Sequence, residues 1–247
     1  MSFTYLSNYD SPALRGNDAS QRPWDLVNEI ISEGGKEKKL LDIGCGTAFK
    51  LIPLSQHFGA ITGIDISEDM IHAAHNSIIK HAANNIQLLH CDSNNLPFKD
   101  KTYDVVTCML SRWDLREIAR ILKPNGHVIV EHLGCEDKKE FKILFGKDDS
   151  GWRGQFINYK RDKYLNYFHE MFSDFFEFVS IKNGFWNTFY TELGILELLK
   201  FTPTIRNFNQ ISDNKILKLS FDIFKKPGGI ALTQNRILIH AKNPRNF

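Results

Sequence analysis

Nowhere in the 247 residues does an apolar run approach the roughly 18 residues that a membrane-spanning helix requires. The start, Met1-Ser2-Phe3-Thr4-Tyr5, lacks the basic-then-apolar layout of a secretory signal. Cysteine is scarce: Cys45, Cys91, Cys108 and Cys135 stand apart with no C-x-x-C spacing. That argues against a thiolate zinc site and against a disulfide framework, so reduced thiols and no metal are expected. Neither charge dominates. Lys and Arg number 31 against 29 Asp and Glu, and the short basic stretches at 36–39 and 160–163 read as solvated surface. Nothing in this balance prompts a nucleic-acid or membrane partner. What remains is the expectation of a soluble cytosolic enzyme, long enough to bury a full core as one decorated domain.

The chain is organised around Lys39-Leu40-Leu41-Asp42-Ile43-Gly44-Cys45-Gly46-Thr47-Ala48. A short buried strand ends in a glycine-punctuated turn that runs into a helix predicted over 49–57, with Pro53 as a blemish. Glycines in such a turn leave the main chain bare toward a ligand. A dinucleotide fingerprint G-x-G-x-x-G/A would place its third small residue at 49, where the bulky Phe49 stands. The pattern D-x-G-x-G-x-G fits better, through Asp42, Gly44 and Gly46, with Ala48 in the last position.

Strand and helix patterns then alternate. Strands are predicted at 40–43, 60–66, 86–90, 103–110 and 127–132, and helices at 67–81, opened by the N-cap Ser67, and 115–122. Lys123-Pro124-Asn125-Gly126 reads as a turn. Such alternation implies a parallel sheet with helices on both faces and ligands at the carboxyl ends of the strands. Beyond Gly134, residues 137–176 read as helical and rich in aromatics; strands follow at 175–181 and 230–241 and helices at 193–199 and 214–225. The expected layout is an N-terminal arm (1–36) with Tyr5, Tyr9 and Pro12, either a frayed terminus or a lid, a cofactor-binding core (37–134), and cap helices with the last strands (135–247).

Acids close successive strands. Asp65 ends the second strand, 19 residues past Gly46, where a carboxylate can accept from both ribose hydroxyls. Asp92-Ser93 ends the third, and His132 ends the fifth, where a histidine suits a general base. The segment Asp92-Ser93-Asn94-Asn95-Leu96-Pro97-Phe98-Lys99-Asp100-Lys101-Thr102-Tyr103-Asp104 resembles the D-A-x-x-L-P-F-x-D-x-x-F-D motif, and 116–126 the R-E-x-x-R-V-L-K-P-G-G segment, of the methyltransferase type 11 group. With the glycine turn, they make the chain similar to class I S-adenosylmethionine-dependent methyltransferases over about 38–133.

The resemblance implies an α/β, Rossmann-like, doubly wound sheet of seven strands, mostly parallel with an antiparallel last strand, plus a helical cap. It implies S-adenosylmethionine as cofactor and S-adenosylhomocysteine as product. Asp42, Gly44 and Gly46 would meet the methionine part, Asp65 the ribose, Asp92 and Ser93 the adenine, and Cys108 the amino-acid moiety; Ile66 is read as packing on the adenine face, Cys45 as lining or backing the site, and Met70 completes the cofactor-binding candidates. Ala48 in place of glycine and a short link from Leu110 to Arg116 depart from the pattern. The expected reaction is methyl transfer to oxygen or nitrogen of a small molecule. An RNA-modifying methyltransferase and a cofactor-binding partner protein without activity are the alternatives. Trp152, Tyr159, Trp186, Phe189 and Tyr190 are candidates to wall an acceptor pocket.

Overall fold

The computed structural model describes residues 15–245; Tyr5, Tyr9 and Pro12, named for the expected lid, lie outside them. The strands are β1 Asn17–Asp18, β2 Gly35–Ile43, β3 Phe58–Asp65, β4 Ile86–His90, β5 Tyr103–Met109, β6 Leu122–Leu133, β7 Lys147–Asp148, β8 Gly151–Trp152, β9 Phe176–Tyr190, β10 Lys225–Lys226 and β11 Gly229–Pro244. The helices are α1 Leu26–Ile31, α2 Leu51–Leu54, α3 Glu68–Lys80, α4 Leu115–Ile121, α5 Lys139–Leu144, α6 Arg161–Ser173, α7 Glu192–Phe201 and α8 Asn214–Phe224. No helix among the described residues is long and apolar enough to cross a membrane.

Seven long strands follow the order β9-β11-β6-β5-β2-β3-β4, and the two-residue β1 and β10 join at β9 and β11. The fold is the expected Rossmann-like sheet, mostly parallel with antiparallel C-terminal strands. Strands β2 to β6 pair in parallel, and Leu40, Leu41, Asp42 and Ile43 in β2 are all buried, as a central strand covered on both faces requires.

The chain divides into two compact units. One comprises residues 24–132, 165–182 and 237 onward. Its core gathers Leu40, Ala48, Leu51, Phe58, Ile61, Val105, Ile129 and Leu238 around Ile30 of α1. Asp25 caps α1 by accepting from Val27 and Asn28 N–H, and Ser67 caps α3 as predicted. The other comprises, among the described residues, 15–23, 133–164 and 183–236, with a core of Phe141, Phe145, Tyr190, Ile195, Leu199, Leu217 and Leu232 from α5, α7, α8 and the strands beside them.

Three local expectations are corrected. The helix predicted over 49–57 shrinks to the four residues of α2, because Pro53 has no N–H to extend it and the chain must turn into β3 at Phe58. Lys123 to Gly126 is not a free turn but lies within β6, where the register against β5 slips between Tyr103 and Val105. Residues 137–176 are not one helical stretch: the β7–β8 hairpin separates α5 from α6.

Candidate active site

The pairing aligns the strand ends. Ile43 lies opposite Ile64 and Cys108, Ile64 opposite Leu89, and Cys108 opposite Val130. One residue further along, Gly44, Asp65, His90, Met109 and Glu131 form the carboxyl edge, with about 4.8 Å between neighbouring strands. Gly44 and Cys45 N–H both donate to the Ile64 carbonyl, at 2.8 and 2.9 Å, which pins the turn to β3.

In that turn Gly44, Gly46 and Ala48 all take left-handed backbone, with φ of 71°, 54° and 62°. A glycine at 48 would adopt it without strain. The alanine instead accepts a penalty of roughly 1–2 kcal/mol, partly offset by burying its methyl in the core, worth about 0.8 kcal/mol. At Gly44 the missing side chain makes room for a neighbour within the protein: a Cβ there would overlap the Oγ and Cβ of Ser111.

Asp65 spans the site. Its Oδ2 accepts from Gly46 N–H and its Oδ1 from Ser67 N–H, both at 2.9 Å. Each oxygen keeps lone-pair capacity for a further donor. Burial pushes this carboxyl above its ordinary value, with the charge of Asp42 adding to the rise and the backbone donors opposing it.

Asp42 is buried at 1% exposure: its Oδ1 accepts from Thr107 Oγ1 at 2.7 Å, and Lys50 Nζ, also buried, stands 3.4 Å away. Both partners reach Asp42 from inside the protein. Cys45 and Cys108 are buried beside it; burial first, then the Asp42 charge, pushes the Cys108 thiol up to about 12 and raises that of Cys45 as well. Both are neutral small side chains backing the turn.

At the next strand ends, Ile66 is exposed, whereas Met70 is buried in the first turn of α3. Asp92 is exposed and folds back on Asn94, accepting from its N–H at 3.0 Å and its Nδ2 at 2.9 Å; Ser93 is half-buried. The structure thus brings Gly44, Gly46 and Asp65 into hydrogen-bonded contiguity and leaves Asp92 two residues past β4. His132, near the end of β6, packs its ring on Phe168 at 5.0 Å between centroids. Phe168 also meets Trp113, whose other face neighbour is Phe172 at 5.3 Å.

Sequence reasoning did not assign Glu131, Ser111 or Arg120. Glu131, buried beside His132, accepts from Trp24 Nε1 at 2.8 Å and so ties the approach to α1 onto the carboxyl edge. Arg120 is a clasp: it donates to the carbonyls of Phe98 (2.7 Å) and Leu96 (3.0 Å), to Asp100 (2.8 Å) and to Glu117, whose Oε2 also accepts from Leu96 N–H. The signal was present in the paired L-P-F-x-D and R-E-x-x-R motifs, which hold each other rather than a ligand. The short link after β5 is fully used: Leu110 turns at φ 54°, Ser111 covers Gly44, and Asp114 caps α4.

Two grooves lie elsewhere. One of about 380 Å³ is lined by Lys39, Gly59, Thr62, Asn85 and Tyr103 at the opposite, amino-terminal side of the parallel strands. The other, of about 800 Å³, lies within the second unit and includes Trp152, Phe156 and Phe208. Of the aromatic candidates, Trp186 is buried between the guanidinium groups of Arg22 and Arg236, Tyr190 is buried with Gln234 donating to its hydroxyl, and Tyr159 is exposed.

A family model described as a methyltransferase domain matches residues 40–126. The demethylmenaquinone methyltransferase of Staphylococcus haemolyticus is 41% identical over 117 residues, covering 43% of this chain and 48% of that protein. That of Listeria monocytogenes is 30% identical over 151 residues, 57% of each. The chain thus spans about half the length of the curated relatives it matches. Among solved structures, the YcgJ protein of Bacillus subtilis superposes with a TM-score of 0.64 over 90% of this chain and 99% of that one, at 20% identity. The [4+2]-cyclase SpnF does so with a TM-score of 0.55 over 94% and 88%, at 16% identity. These structural likenesses show the fold alone, and a cyclase among them illustrates that this fold does not dictate one reaction. The glycine turn, and the register that brings Asp65 to it, lie inside residues 40–126, the segment that is similar to a methyltransferase domain.

Proposed function

We propose that the protein transfers a methyl group from S-adenosylmethionine to a small-molecule acceptor. The observation that carries this reading is the Gly46–Asp65 hydrogen bond, which sets a two-oxygen acceptor directly against the left-handed glycine turn. The residues fit a nucleoside sulfonium. Asp65 has lone pairs left for two ribose hydroxyls, exposed Ile66 offers an apolar face to adenine, and Ser93 with Asp92 supplies polar groups beside it. Cys45 and Cys108 close the back of the turn without charge, and buried Asp42 with Lys50 and Thr107 keeps the end of β2 rigid.

The cofactor when bound supplies an already activated methyl, so the protein's task is alignment and exclusion of water. His132, whose ring packs on Phe168, is the residue proposed to take the proton that the acceptor atom, oxygen, nitrogen or ring carbon, gives up on methylation. The named activity of the relatives makes a demethylated quinone the first acceptor to try. Trp24, through Glu131, ties the chain just before α1 to the same edge.

Calorimetry with S-adenosylhomocysteine tests the binding part, and transfer of labelled methyl to fractionated small-molecule and RNA pools tests the rest. Wild-type binding that Asp65→Ala abolishes, with label in the small-molecule pool, is the expected result. Failure of the wild type to bind, or label only in RNA, would refute it.

A further inference from the structure

Away from the carboxyl edge, three side chains from separate parts of the chain converge. They are Glu33, just past α1, His127 in β6, and His240 in β11. His127 Nδ1 lies 3.0 Å from His240 Nε2 and 3.3 Å from Glu33 Oε2, and His240 Nε2 lies 3.6 Å from Glu33 Oε1. Two nitrogens and a carboxylate therefore aim at one point. Tetrahedral coordination at roughly 2.0–2.2 Å holds its donors about 3.3–3.6 Å apart, close to these three distances.

We propose that Glu33, His127 and His240 bind one divalent transition-metal ion, with zinc as the fitting class and water completing the shell. Two imidazoles and one carboxylate form a borderline donor set that suits zinc better than magnesium or calcium, which take oxygen shells. A neutral imidazole carries its proton on one nitrogen only, so with each proton on the outer nitrogen both His127 Nδ1 and His240 Nε2 direct a lone pair at the spot that the carboxylate faces. Side-chain exposures of 19%, 21% and 30% for His127, Glu33 and His240 leave the point open to an ion from solvent. Burial lowers both histidines below their ordinary value, which favours the neutral, ligating form.

The surrounding charges set limits. Lys38 donates to the Glu33 carbonyl at 2.9 Å, Lys242 faces both histidines, and Lys182 is neutralised by Glu29 at 2.7 Å. These cations oppose a bound cation and make the site one of moderate affinity.

Position gives the site a role. His127, Ile129 and Glu131 alternate onto one face of β6, and α1 packs on that face through Ile30. The helix is already anchored at one end by Trp24 on Glu131. The ion would clip its other end, through Glu33, to β6 and β11, about 13 Å further down the strand.

Metal-free protein titrated with zinc against a chromophoric chelator is the test, with thermal melting followed in parallel. Wild type is expected to take one ion per chain and to melt several degrees higher with zinc. His240→Ala should lose at least tenfold in zinc affinity and the whole melting shift, while His72→Ala, on an exposed face of α3, should keep both. If His240→Ala does not fold, Glu33→Gln serves the same comparison, since it keeps the shape and removes the anionic ligand. Equal zinc affinity in wild type and these variants, or no zinc uptake by the wild type, overturns the proposal.

Discussion

The Gly46 amide donates to Asp65 Oδ2 across 2.9 Å, so the turn after β2 and the acid at the end of β3 are one unit. Through its other oxygen, Asp65 also receives the Ser67 amide at the head of α3. An acid placed in this way both shapes the turn and presents its remaining lone pairs outward.

This arrangement predicts an unusual pH dependence. Burial holds the Asp65 carboxyl above its ordinary value, so it becomes protonated at a higher pH than an exposed aspartate does. Its contribution to the stability of the free protein is therefore full below the unfolded pKa and lost as pH rises through the folded one. Cofactor binding needs the ionised form and runs the other way. Affinity for S-adenosylhomocysteine should weaken on acidification before ordinary aspartates titrate, and a calorimetric series from pH 7 downward reads it.

Gly44→Ala should be costly, for two separable reasons. A left-handed φ of 71° and overlap with Ser111 together are expected to destabilise by at least about 2 kcal/mol, measured by urea unfolding. Adding Ser111→Gly removes the overlap and should recover part of the loss, leaving the backbone strain of roughly 1–2 kcal/mol. Ser111→Ala should recover little, because the Ser111 Cβ is itself in the way.

Thiol labelling should separate the four cysteines. Cys91 is half-buried, whereas Cys45, Cys108 and Cys135 are buried. Burial raises the thiols of Cys45 and Cys108 furthest, to about 12 for Cys108. A disulfide reagent at neutral pH should modify Cys91 first and reach the buried cysteines only on unfolding, with mass spectrometry as the readout.

In the second unit Asp137 is buried against Arg236, with Lys138 Nζ at 3.0 Å. Burial by itself would raise this carboxyl, but the charges of Arg236, Lys138 and Lys142 outweigh it and hold the group well below its ordinary value. Asp137→Asn would leave those cations buried without their anion and should cost roughly 3–5 kcal/mol. Lys138 is pulled down to about 8, by burial first, against the pull of Asp137. Between about 8 and its unfolded pKa near 10.4 the unfolded chain binds the extra proton, so stability from this group should rise with pH across that window. Replacing Lys138 by Met should flatten that rise in a urea series.

Local sequence was sufficient for the elements whose signals are local. The apolar run at 40–43, the Ser67 cap and the alternation through 130 encode a parallel sheet because strand period, cap chemistry and turn residues act over a few positions. The motif residues likewise identified the cofactor class. The tertiary structure alone decided what each polar group faces. Asp42 turns inward to Thr107 and Lys50, Ser111 fills the space over Gly44, and Arg120 is spent on the 96–100 loop. Glu33, His127 and His240 meet only because β6 and β11 lie side by side, with the two histidines 113 positions apart in the sequence. Register sets such meetings, and register is a property of the packed sheet rather than of any one segment.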